Sequence, residues 1–218
     1  MEDCFQMYPQ AIQMAEQAVS YYGTRDPFEI IEARHIKLRF FAAENLLGYF
    51  TVVKRIQYIG LNRNADEDLL RTGAGHELGH AFLDYDAAAG GRDFQDTFLY
   101  TLSNGRLEKN ANLFNAELLI PDEPVLIALC HEAYVKTLHQ IQSCIDSCRS
   151  SRARFDFEQE CMRQFYDAHD IASIEEMARE CRVDPELMRF KLQALGSKGF
   201  ELPNVPETRS DFLRYWRR

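Results

Sequence analysis

Two hydrophobic periods divide this chain. Over residues 9–22, PQAIQMAEQAVSYY, Pro9 stands at a start and Ile12, Ala15, Ala18 and Val19 share one face, which predicts a helix. A second short helix is expected over PFEIIEARH, opened by Asp26-Pro27. Then the period shortens. IKLRFFAA, LLGYFTVV and RIQYIGLN are rich in Ile, Val, Phe and Tyr and are parted by turn-like or charged residues. They read as three strands of a small, mostly antiparallel sheet.

From residue 64 the pattern turns helical again. Asn64-Ala65-Asp66-Glu67 has the form of a capping box and should start a helix that ends near Tyr85, where small residues and two glycines follow. Residues 86–103 read as irregular. A long helix is expected from about Asn104 to Leu119, stopped at Pro121. Beyond it, stretches 124–150, 155–168, 173–181 and 184–195 carry apolar residues at three- and four-residue spacing. A boundary near 150, in CRSSRARF, sets a first domain of residues 1–150 apart from a helical C-terminal portion, 151–218. The expected class is α+β.

The helix expected after residue 64 carries His76-Glu77-Leu78-Gly79-His80. Positions four apart on a helix lie about 40° apart around its axis, so both imidazoles point one way. Leu70, Ala74, Leu78, Ala81, Phe82 and Tyr85 fall on roughly the opposite half, which predicts one buried face and one ligand-bearing face. Glu77 lies about 100° from His76, a place that suits a base acting on a metal's water better than a ligand. Gly73, Gly75 and Gly79 each cost about 1 kcal/mol in a helix relative to alanine. They make sense where something must approach the backbone closely.

A catalytic zinc needs three protein ligands and an open position. Three acids compete for the third place. Asp86 follows His80 by six residues, but Leu83 stands where a chain turning sharply toward such a ligand would need glycine. Asp84 continues the histidine face and fits better as a hydrogen-bond partner for an imidazole N–H. In RLEKNANLFNAELLIP, Glu108 and Asn112 share a face beside an apolar stripe of Leu107, Ala111, Phe114 and Leu118. Glu117 is nine residues from Glu108 and about 180° away, on the side facing away from that stripe. The residues therefore favour His76, His80 and Glu108, with Asn112 and Asp84 supporting the imidazoles.

GHELGHAFLD, followed by EKNANLFNAELLIP, resembles the ImmA/IrrE family of metallopeptidases. In that family an HExxH helix precedes a second helix reading E-x-x-A-N-x-F-A-A-x-L-L-M-P. Glu108, Ala111, Asn112, Phe114, Ala116, Leu118, Leu119 and Pro121 match, while Asn115 and Ile120 replace an alanine and the methionine. The resemblance is specific over about 45–122. It implies a zincin-like fold, zinc held by His76, His80 and Glu108, and a catalytic Glu77 that takes a proton from water and returns it to the leaving nitrogen. It also implies site-specific cleavage of a phage-type repressor, an anti-repressor role on a mobile element or in a stress response. Tyr100, His131 and Tyr134 are unranked candidates for a second oxyanion donor.

Charge and composition narrow the surroundings. The net charge of −9 argues against a nucleic-acid coat or an anionic-membrane binder, without excluding a local basic patch. MEDCFQMYPQ has no apolar run of signal length, and no stretch approaches a membrane span, so the expected compartment is the cytoplasm. The six cysteines are then reduced thiols, Cys144 and Cys148 included. SIEEMARECRVDPELMRFKLQALGSKGF has the outline of a helix-turn-helix, but Arg182, Arg189, Lys191 and Lys198 are countered by Glu175, Glu176, Glu180, Asp184 and Glu186. Direct DNA contact is disfavoured on that ground, and docking of a helix-turn-helix repressor or structural support is favoured. The competing class is a non-catalytic regulator in which zinc is structural and the helical tail binds a protein or DNA.

Overall fold

A computed structural model describes residues 7–91, 94–97, 105–129 and 173–200, with 202, 205 and 207. Helix α1 runs Met7–Tyr22 and α2 Pro27–Ala33. Pro27 opens α2, and the Asp26 side chain accepts from the Phe28 N–H at 2.8 Å. Strands β1 (Lys37–Phe41), β2 (Leu46–Val53) and β3 (Ile56–Asn62) lie where the alternating segments place them. Helix α3 spans Glu67–Leu83, α4 Tyr85–Ala89, β4 Phe94–Thr97 and α5 Arg106–Leu119. Three further helices follow: α6 (Asp122–Leu129), α7 (Ile174–Cys181) and α8 (Pro185–Ser197).

The chain divides into two compact units. The first joins residues 1–121 to 181–200, and the second joins 122–180 to 201–218. Helix α8, which lies within the expected C-terminal portion, thus belongs to the first unit. The boundary expected near 150 falls outside the described residues. In the second unit, Ser173 and Glu176 form a reciprocal cap at the start of α7.

The four strands are ordered β1-β3-β2-β4. The sheet is mixed rather than antiparallel throughout. β2 pairs antiparallel with both β3 and β4, whereas β1 runs parallel to β3, with Lys37 opposite Tyr58 and Arg39 opposite Gly60. The hairpin between β2 and β3 turns at Lys54 and Arg55, both at positive φ (50° and 66°). A two-residue turn of that kind continues the strands' twist, but asparagine and glycine usually supply it.

In the first unit α3 lies between the sheet and α5, and α1 and α8 pack on α5 as well. Phe50, Ile59 and Leu61 from the sheet, Leu78 from α3, and Leu113, Phe114 and Leu118 from α5 are fully buried. Sandwiching changes α3 from the amphipathic helix expected. Every residue from Thr72 to Ala81 is buried, so the histidine face is covered too. Its N-cap is Asp66, which accepts from the Leu69 N–H at 2.8 Å, rather than Asn64. Among the described residues no helix is long and apolar enough to cross a membrane.

Candidate metal centre

The centre grows from the pairing of α3 and α5. Glycines on α3 let α5 come close: a Cβ on Gly79 would stand 3.1 Å from the Ala111 backbone, and one on Gly75 would meet the Asn115 Oδ1 at 2.1 Å. Asn115 also donates from Nδ2 to the Thr72 carbonyl at 2.9 Å, fixing the two helices to each other one turn before His76. This close approach brings Glu108, on the first turn of α5, to the two imidazoles of α3.

His76 Nε2 and His80 Nε2 lie 3.2 Å apart, and the Glu108 Oε2 lies 3.2 Å from the first and 3.3 Å from the second. The rear nitrogens are held. His76 Nδ1 donates to the Asn112 Oδ1 and His80 Nδ1 to the Asp84 carboxylate, each at 2.8 Å. With Nδ1 carrying the proton, each Nε2 turns a lone pair toward the Glu108 oxygen. Three electron-rich atoms in mutual contact repel unless a positive charge lies among them. A tetrahedral zinc with bonds of about 2.0–2.1 Å keeps its ligand atoms about 3.3 Å apart, so the set fits such an ion. His76, His80 and Glu108 are the residues able to hold it.

The electrostatics agree. Burial opposes charge on His80, yet its hydrogen bonds to Asp84 and Glu108 and the nearby charges of Glu77 and Glu108 push its pKa up to about 9. Burial likewise opposes ionisation of Glu108, but the two histidines hold its carboxyl far below the usual range. The pocket therefore favours a cation, be it a proton or a metal ion.

Glu77 is 1% exposed and lies on the sheet side of α3, against β2. Gly48 makes room for it: a Cβ there would stand 2.8 Å from the Glu77 Oε1. Sequence reasoning passed over Gly48, although a glycine inside LLGYFTVV was a sign of close approach. A register shift between β2 and β4 falls at Leu46/Gly48, beside the same point.

The convergence of two imidazoles from the HExxH helix α3 and a carboxylate from α5 marks a metallopeptidase arrangement. The family model of the IrrE N-terminal-like domain, a peptidase family, matches residues 31–163. The chain belongs to that family. The IrrE-like match reaches beyond residues 45–122 on both sides and takes in all four strands, α3 and α5. No curated protein matches the chain.

The other expected residues divide into two groups. Asp86 is exposed on α4, and Glu117 faces away from the histidines. Tyr100, His131 and Tyr134 lie outside the described residues, as do Cys144 and Cys148. Glu117 is nonetheless buried rather than idle. Its Oε2 accepts from Lys191 Nζ at 2.8 Å and its Oε1 from Lys198 Nζ at 2.7 Å. Lys191 has no exposed side-chain surface. Arg182 pairs with Asp68 at 2.9 Å and Arg189 with Glu186, so all four cations of the helix-turn-helix outline meet carboxylates within the chain.

Proposed function

We propose that this IrrE-like chain is a zinc-dependent endopeptidase that cleaves a phage-type helix-turn-helix repressor at a specific site in the cytoplasm. The observation that carries the reading is the contact of His76 Nε2, His80 Nε2 and Glu108 Oε2 beside a buried Glu77. Zinc held by these three would polarise a peptide carbonyl and acidify water. The chain's residues do the rest. Asn112 and Asp84 keep both imidazoles in the tautomer and orientation that ligation needs. Glu77 takes the proton from the attacking water and delivers it to the departing nitrogen. Family membership supports peptide hydrolysis, and the family resemblance supports a repressor as the substrate. β4, at the end of the sheet beside β2, offers a backbone edge along which an extended substrate can lie.

The test compares the parent protein with Glu77→Gln. The variant should retain metal by elemental analysis and lose about 100- to 10,000-fold in cleavage of a phage-type helix-turn-helix repressor offered as substrate. Equal cleavage by the variant would refute the assignment of Glu77, and a metal-bearing parent that cleaves nothing would favour the structural-zinc regulator.

A further inference from the structure

Charge is divided unevenly along the chain. Residues 34–63, from the end of α2 to the end of β3, hold six of the 25 lysines and arginines but only one of the 34 acids, Glu44. Two of the six are committed locally: the Arg34 guanidinium lies 4.0 Å over the Phe82 ring, and Arg63 donates to the Phe40 carbonyl at 3.0 Å. The other four, Lys37, Arg39, Lys54 and Arg55, are exposed. Among the described residues none of them has a carboxylate partner.

Their positions make one surface. Lys37 and Arg39 are two apart on β1 and so project from the same face of the sheet. Register puts Lys37 level with Tyr58, two residues from Ile56, where the hairpin turns through Lys54 and Arg55. The four cations thus follow the β1 edge, opposite β4 in the sheet, and round the hairpin tip between β3 and β2. Val53 and Ile56, 50% and 44% exposed, flank the tip and add apolar surface. Edge-strand lysines guard a sheet against unwanted pairing, which accounts for Lys37 and Arg39. Guarding does not account for Lys54 and Arg55, which lie off the edge and hold left-handed backbone where asparagine and glycine would be unstrained.

We infer that this basic edge is a docking site for an acidic segment of the protein substrate, remote from the bond that is cut. The inference rests on the peptidase reading for its choice of partner. Charge complementarity asks for an anion, and three features favour a short acidic stretch of polypeptide over a nucleic acid. The patch has only four free cations. The rest of the chain is more acidic than its net charge of −9 suggests, which repels a long polyanion. Exposed Val53 and Ile56 suit apolar side chains interspersed among acids.

The probe is a fluorescein-labelled polyglutamate of about twenty residues, read by anisotropy at low and physiological salt, with oligothymidylate of equal length in parallel. Polyglutamate should bind the full chain, weaken as salt rises, and lose roughly tenfold or more in affinity for the Lys37→Glu/Arg39→Glu/Lys54→Glu/Arg55→Glu variant. Lys54→Ala/Arg55→Ala, confined to the exposed tip, serves should the fourfold reversal misfold, and should weaken binding severalfold. The inference is overturned by absence of polyglutamate binding at low salt, by equal binding to the variants, or by tighter binding of oligothymidylate through the same residues. Metal content and Glu77-dependent cleavage are read separately, so failure of the peptidase reading leaves its own signature.

Discussion

Gly48 on β2 faces Glu77 on α3 so closely that a single methyl group on the glycine would fall 2.8 Å from a carboxylate oxygen. Alanine would ordinarily suit a strand better than glycine. Here it must displace the carboxylate. Gly48→Ala is expected to lower peptide hydrolysis by about 100-fold, the scale set by ångström misplacement of a reacting group. Metal content should be unchanged, because the three atoms nearest the added methyl group all belong to Glu77. Steady-state kinetics with elemental analysis checks both halves, and full activity would show that the Glu77 position is not critical.

Asn112 and Asp84 hold the rear nitrogens of His76 and His80. Asn112→Ala and Asp84→Ala should each weaken metal affinity by about 10- to 100-fold, measured by competition with a chromogenic chelator. Asp84 is also the C-cap residue of α3, but that cap is made by its backbone N–H to the His80 carbonyl, which alanine keeps, so the loss from Asp84→Ala should appear in metal affinity.

Proton release on metal binding follows from His80. Its pKa is raised from 6.5 to about 9 in the metal-free protein, so the stabilisation from that proton is complete below 6.5 and disappears as pH rises through 9. Glu108 is depressed from 4.5, so its contribution is complete above 4.5 and is lost as pH falls from there through its much lower folded value. Metal must displace the His80 proton. From pH 6.5 to about 8, loading should release close to one proton from His80, falling to about half a proton at pH 9, and apparent affinity should climb with pH across that range. Calorimetry in buffers of different ionisation enthalpy measures the count.

Lys191 and Glu117 form a pair that is almost wholly out of solvent. Lys191→Met leaves the buried carboxylate with Lys198 alone and should cost about 3–5 kcal/mol in denaturant unfolding. Replacing Glu117 and Lys191 together with leucine should recover part of that loss, because the fully buried charges are then removed as a pair and Lys198, which loses Glu117, keeps Glu16 at 2.8 Å. A single variant as stable as the parent would show that Lys198 suffices.

Local pattern carried much of this structure. The β2 segment was legible to the residue, α3 and α5 within a few residues, and the selection of Glu108 over Asp86 and Glu117 needed only helical angles and the family motif. What escaped was decided by contacts distant in sequence. Parallel pairing of β1 with β3 depends on how the chain crosses over, which alternation does not encode. β4 and α4, four and five residues long, are too short to show a period, and both fall where residues 86–103 read as irregular. Lys191 looked like one more surface cation, since its partner lies 74 residues away. The amphipathic reading of α3 failed because the face bearing His76 and His80 is closed by α5, the element that brings Glu108 to them.

Helix α5 bears one carboxylate toward the histidines and another, nine residues on, toward Lys191 and Lys198 of the C-terminal segment. Any coupling between the two contacts through α5 is reciprocal: whatever tightens one tightens the other by the same free energy. Chelation should therefore speed amide hydrogen exchange in α8, far from any ligand, and severing residues 181–200 should in turn loosen the hold on the ion.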